Sequence, residues 1–84
     1  MYTGMARVYG PLGVRANAIA PGNIRTGWLD ELTRAERRIL EREAPLRRFG
    51  EPREVAELIL FLSGARSSFV TGQTVVIDGG TISH

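Results

Sequence analysis

The chain has no cysteine, no lysine and one histidine among its 84 residues. Without cysteine there is no disulfide framework and no thiolate metal site, which fits a reducing cytoplasm and is compatible with other compartments. Without lysine, no step within the chain can use an ammonium group to lower a tyrosine pKa, form a Schiff base or hold a phosphate. The lone histidine, His84, is the last residue, where a solvated end is expected. Long apolar runs are also missing. None approaches the ~18–20 residues of a membrane-spanning helix, so no membrane anchor is expected. Met1 to Gly10 shows neither a basic stretch ahead of an apolar core nor a cleavage site, so no secretory signal is expected.

What is present is ordinary in bulk. A hydrophobic share of 43% and a charged share of 24% suit a globular chain, and the length suits one small domain rather than two. All 11 basic residues are arginine, and the formal net charge is +2. Compositional bias is the plain reading of that choice. A phosphate-binding surface is the sharper one, since guanidinium groups suit bidentate phosphate contacts. The arginines are interspersed with seven glutamates and form no cluster. An arginine-rich nucleic-acid-binding module is therefore a remote alternative, which lack of retention on heparin at low salt would remove.

Thr3 to Val8 reads as the end of a helix, weakened by Gly4 and stopped by Gly10-Pro11. Val14 to Ala20, small and apolar between Gly13 and Pro21-Gly22, reads as a buried strand. Thr33-Arg34-Ala35-Glu36 has the form of a capping box, predicting a surface helix from Arg34 to Glu43 that ends before Pro45, with Ala35, Ile39 and Leu40 as its apolar face. Pro52 in a first turn and the acidic residues Glu51, Glu54 and Glu57 predict a second helix, Glu51 to Ser63. Its stripe of Val55, Leu58, Ile59 and Leu62 predicts packing on something substantial, and Gly64 is placed to cap it. Thr71-Gly72 then turns into the β-branched run Gln73 to Asp78, a strand stopped by Gly79-Gly80. Strand, helices and strand in this order predict a right-handed crossover between parallel strands. Two parallel strands with one good helix cannot bury their faces or pair their outer edges. The sequence thus reads as part of a larger α/β sheet.

Pro21 to Thr26 lies at the C-terminal end of the first strand, the edge where open parallel sheets bind ligands. Pro21 is expected to stop strand pairing, and Gly22 to let the backbone approach a ligand. Ile24 would offer main-chain groups and Thr26 a hydroxyl, although a Pro-Gly turn by itself is a common loop.

In its wider context the stretch is more specific. Gly13-Val14-Arg15-Ala16-Asn17-Ala18-Ile19-Ala20-Pro21-Gly22-Asn23-Ile24-Arg25-Thr26 closely resembles a signature of the short-chain dehydrogenase/reductase family. So do Pro45-Leu46-Arg47-Arg48-Phe49-Gly50-Glu51-Pro52 with the following helix, and Ser67 to Gly80. The three blocks follow the family's order and spacing, and are most similar to its 3-oxoacyl-carrier-protein reductase and glucose dehydrogenase-like branch. The resemblance implies the C-terminal portion of a Rossmann-type, doubly wound parallel sheet, a single partial domain that is incomplete when it stands alone. It implies a loop, Pro21, Gly22, Ile24 and Thr26, beside the nicotinamide of NAD or NADP. The main chain at Ile24 would hold the carboxamide, and Thr26 would contact the carboxamide or pyrophosphate. Residues 27–48 would be the variable lid over substrate, with Trp28, Leu29 and Leu32 as apolar contacts; ordinary packing of the lid on the body accounts for these three equally well.

The departures matter as much. The family's hydride transfer uses a tyrosine, a lysine four positions later, a serine and usually an asparagine. Tyr2 is followed at that spacing by Ala6 and Tyr9 by Gly13, and Asn17 belongs to the strand motif. Gly10-Pro11-Leu12-Gly13 does not link a strand to a helix, so it is no phosphate loop. No catalytic or metal-ligating residue is therefore assigned. The expectation is a truncated segment, inactive and binding little or no cofactor alone, and cytoplasmic. The resemblance implies that helix 51–63 and strand 73–78 correspond to the family's two-fold subunit interface, with a homo-oligomer or a complementary N-terminal segment as the expected partner. Alternatively the chain belongs to a complete dehydrogenase, through a split gene or a wrongly assigned start. Arg47-Arg48 would either reach an acidic substrate or form a solvated turn.

Overall fold

Two short parallel strands organise the chain. They appear in a computed structural model that describes residues 2–81. Strand β1 (Ala18–Pro21) pairs with β2 (Thr74–Ile77) from Ala18↔Thr74 to Pro21↔Ile77. The ladder is bounded by Ala18 N–H donating to Gln73 O (2.8 Å) and Gly22 N–H to Ile77 O (3.0 Å). A parallel strand spends alternate residues on each neighbour. Ile19 therefore turns its N–H to the opposite edge, where no strand lies among the described residues.

The first strand starts later than the apolar run suggests. Val14 to Asn17 was expected to be strand, and it is coil because the Val70–Gln73 turn claims its polar groups. Ala16 N–H donates to Thr71 Oγ1 (3.0 Å), and Asn17 Nδ2 to Val70 O (3.0 Å). Gln73 N–H donates to Asn17 Oδ1 (3.1 Å) and Gly72 N–H to Ala16 O (2.8 Å). At the other end, Pro21 does not terminate pairing, as had been expected. It occupies the last strand position, and its missing N–H falls on the unpaired side, where nothing is lost.

The helices form where their caps place them. Helix α1 (Tyr2–Tyr9) passes into a 3-10 turn, Gly10–Leu12. A second such turn, Gly27–Glu31, precedes α2 (Arg34–Glu43). Both halves of the α2 capping box are made: Glu36 N–H donates to Thr33 Oγ1 (3.1 Å) and Thr33 N–H to Glu36 Oε1 (2.8 Å). These bonds hold the Glu36 carboxyl below its ordinary range, the Thr33 backbone N–H most of all. Helix α3 (Pro52–Ser63) follows Glu51, whose N–H donates to Glu54 Oε1 (2.9 Å). Gly64 caps α3 in an extended conformation, φ −104°, rather than the left-handed one usual for a capping glycine.

The packing departs most from expectation. The α3 stripe was predicted to rest on something substantial, yet no α3 residue is buried; Val55, Leu58 and Leu62 are half-covered and Ile59, Leu60 and Phe61 are exposed. On α2, Ala35 and Ile39 are exposed and Leu40 half-covered. Among the described residues the buried apolar side chains are Leu29 and Ala44. The accessible surface is 6399 Å², whereas a folded monomer of this mass shows ~4,900 Å². The radius of gyration is 15.7 Å against about 12 Å for a compact chain of this length. An excess of about 1,500 Å² cannot be covered by the chain itself. The architecture is a portion of a Rossmann-type sheet with its helices, and it is incomplete.

Candidate functional site

The site is the crevice at the C-terminal ends of β1 and β2. Gly22 is dictated by close approach: a Cβ there would lie 2.6 Å from Asp78 Cβ and 2.9 Å from Asp78 Cα. Only a residue without a side chain lets the chain leave β1 across the end of β2. Gly79 and Gly80 have φ of 64° and 91°, so the exit from β2 also needs glycine. That turn receives the far end of residues 27–48, since Leu46 N–H donates to Gly79 O (3.1 Å). A Cβ at Gly80 would press on Pro45 at 3.1 Å.

Beyond Gly22 the chain makes a second parallel contact. Gly50 N–H donates to Asn23 O (3.0 Å) and Arg25 N–H to Gly50 O (2.7 Å), bridging Ile24 to Gly50. Because Asn23 C=O and Arg25 N–H face Gly50, the N–H and C=O of Ile24 face away from it. The Ile24 N–H has no partner among the described residues. The Ile24 carbonyl accepts the Trp28 indole N–H at 3.2 Å. Thr26 starts the Gly27–Glu31 turn, its carbonyl accepting Leu29 N–H (3.1 Å), and its exposed hydroxyl makes no hydrogen bond among the described residues. Pro21, Gly22, Ile24 and Thr26 are thus brought to one edge, with one main-chain donor and one hydroxyl open. These are the groups a carboxamide needs as donors. The Ile24 carbonyl gives one of its two lone pairs to Trp28, which leaves the other for a further donor.

The three apolar residues of the following segment separate. Leu29 is buried and Leu32 half-buried, while Trp28 is exposed and meets Phe49 edge to face, with ring centroids 6.4 Å apart. Arg37 fastens the Leu29 turn to α2, donating from Nε to Leu29 O (2.9 Å) and pairing with Asp30 at 3.5 Å.

Two ion pairs at the start of α3 were not anticipated from the sequence. Arg25 Nε lies 2.9 Å from both Glu51 oxygens, and Arg48 binds both Glu54 oxygens at 2.8 and 3.0 Å. The Arg48 guanidinium and then the Glu51 N–H hold the Glu54 carboxyl at about 2, and Arg25 holds Glu51 below its ordinary range. Each arginine is correspondingly pushed up by its glutamate. The signal available in sequence was the Arg48–Glu54 spacing beside a helix start; the Arg25–Glu51 separation offers none. Arg47 and Arg48 do not act as a pair, because Arg47, at φ 60°, turns its Nη1 onto Arg42 O (2.9 Å).

Arg15 and Asn17 are also structural. Arg15 reaches Val70 O (2.9 Å) and Gly64 O (3.0 Å), closing the turn after α3, where buried Ser67 donates to Phe61 O (2.7 Å).

Comparison with known proteins agrees with this geometry. The family model described as enoyl-(acyl carrier protein) reductase matches residues 1–82. A 3-oxoacyl-[acyl-carrier-protein] reductase of Thermotoga maritima is 48% identical over 69 residues, covering 82% of this chain and 28% of the relative. An A-factor type gamma-butyrolactone 1'-reductase of Streptomyces virginiae is 46% identical over 81 residues, covering 92% of this chain and 31% of the relative. The solved 3-oxoacyl-[acyl-carrier protein] reductase of Brucella melitensis superposes with a TM-score of 0.92 at 37% identity, over 98% of this chain and 31% of that one. The chain therefore spans under a third of the length of these relatives. With the matched model covering nearly every residue, the chain belongs to the short-chain dehydrogenase/reductase family of NAD(P)-using oxidoreductases.

Proposed function

We propose that this chain is the nicotinamide-side segment of an NAD(P)-dependent oxidoreductase acting on a carbonyl or alcohol substrate, inactive by itself. The observation that supports this reading is the crevice: a parallel strand pair delivers Ile24 and Thr26 with a free N–H and a free hydroxyl at its C-terminal edge. There the Ile24 main chain and Thr26 would hold the carboxamide end of the cofactor, and Pro21 and Gly22 would shape the backbone beneath it. Bound NAD(P) would supply the hydride acceptor or donor. Residues 27–48 would cover the substrate, with Trp28 as the accessible apolar contact. The chain offers no tyrosine–lysine pair and no glycine-rich phosphate loop, so the family's proton-transfer set and main pyrophosphate cradle are not among these residues.

NADH titration followed by Trp28 fluorescence tests this reading. The expected result is no saturable change. Saturable quenching at micromolar NADH would overturn the inactive reading.

The excess surface and the unpaired β1 edge favour a second role alongside the first. The chain would complete an oxidoreductase by docking on a segment that supplies the missing strands, or on a second copy through helix 51–63 and strand 73–78. The proposed setting is the cytoplasm, with which the lack of cysteine is compatible. Sedimentation showing a well-folded monomer, with no association on adding an N-terminal segment of a relative, would remove this role.

A further inference from the structure

Residues 27–48 leave and rejoin the body side by side. On the outgoing side stand Asn23, Ile24, Arg25 and Trp28; on the returning side stand Arg48, Phe49, Gly50 and Glu51. The two are joined by the two backbone bonds at Gly50, by the Trp28–Phe49 edge contact, and by the Arg25–Glu51 pair. The Arg48–Glu54 pair then ties the returning side to α3, and the Glu51 N–H on Glu54 joins the two ion pairs. Both arginines thus anchor on glutamates three residues apart at one helix start. At the far end, Ala44 is buried and Leu46 is bonded to Gly79. Between these anchors α2 has no buried residue.

We infer that residues 23–28 and 48–51 form a fixed neck, held more firmly than α2, and that Arg25 and Arg48 are positioning residues for Ile24 and Thr26. This rests on the reading of Ile24 and Thr26 as cofactor-facing. Arg25 lies between them in sequence. Its N–H on Gly50 O fixes the peptide plane whose opposite edge carries the Ile24 C=O, as the Gly50 N–H on Asn23 O fixes the one that carries the Ile24 N–H, and its guanidinium on Glu51 holds the two segments together. The Trp28 indole on the Ile24 carbonyl belongs to the same neck and leaves that oxygen's second lone pair for a further donor. An exposed ion pair contributes little to global stability. Its effect here is local, because it determines where one peptide group points.

Amide hydrogen exchange on the chain without cofactor tests this, so the outcome is independent of whether NADH binds. In the wild type the Arg25 and Gly50 amides are expected to exchange more slowly than Ile39 and Leu40 of α2. Arg25→Gln and Arg48→Gln are each expected to speed exchange at Arg25 and Gly50 about two- to five-fold, with Leu58 and Leu62 of α3 unchanged. The Arg25→Lys variant, which keeps charge and loses the bidentate fork, should restore part of the protection. Equal exchange rates in the neck and α2, or neck rates unmoved in Arg25→Gln, would overturn the inference. If a variant loses protection everywhere, the wild type in molar salt decides. Faster exchange confined to Arg25 and Gly50 supports the neck, and no change there refutes it.

Discussion

The neck and the outer sheet differ in how far each satisfies its own groups. At the neck, the Arg25 and Gly50 N–H groups, the Arg25 and Arg48 guanidiniums and the Trp28 ring meet partners within the chain. Around β1, α1 and α3, an unpaired strand edge and exposed Met5, Val8, Leu60 and Phe61 find none. Both regions come from the same chain with ordinary composition. The contrast is between a crevice whose geometry is closed by contacts within the chain and a sheet that is left with an open edge and uncovered apolar faces among the described residues.

The largest effects should come from the few places where the inner region is packed. Leu29→Ala is expected to lower stability by about 2 kcal/mol, the low end for a buried leucine because a small core can collapse onto the gap. A urea midpoint unchanged from wild type would break the distinction between inner and outer regions. Gly22→Ala is expected to cost about 1–3 kcal/mol, since the new Cβ meets Asp78 backbone rather than a flexible side-chain end. Its thermal unfolding, compared with that of a Gly27→Ala control where a Cβ meets nothing, isolates that collision.

A smaller effect is expected from acid. Glu54 sits at about 2 in the folded chain against an ordinary 4.5, and Glu51 is lowered as well. A depressed carboxyl stabilises the folded state above its unfolded value, and that contribution is lost as pH falls from about 4.5 towards about 2. Trp28 emission should therefore shift across this window, and the shift should be smaller in Glu54→Gln, where Glu51 alone of the two still titrates; an identical titration in both would remove the Arg48–Glu54 pair from the account. The smallest effect belongs to the outer region. Leu60→Ser, at a position 74% exposed, should change stability by no more than ~0.5 kcal/mol in the isolated chain. If it also weakens any association found by sedimentation, the exposed Leu60 face of α3 is a contact surface.

Much of this molecule was legible from residue order. The capping box at Thr33–Glu36, the proline-led helix from Pro52, the strand before Gly79 and the loop after β1 depend on neighbours a few positions apart, and such contacts form whatever the rest of the chain does. The family followed from three blocks of the same local kind. The start of β1 was misread because apolar character alone cannot show that Asn17 and Ala16 would be claimed by Val70–Gln73, more than fifty residues away. The Arg25–Glu51 pair and the Trp28 indole on Ile24 were equally hidden, since their partners become neighbours only once the chain returns through Gly50. The stripe on α3 suggests packing on something substantial, yet the chain only half-covers Val55, Leu58 and Leu62 and leaves Ile59 exposed. Sequence by itself determined the elements, the glycines at the crevice and the family. Tertiary structure decided which polar groups are open and which apolar faces stay uncovered, because both depend on distances between segments far apart along the chain.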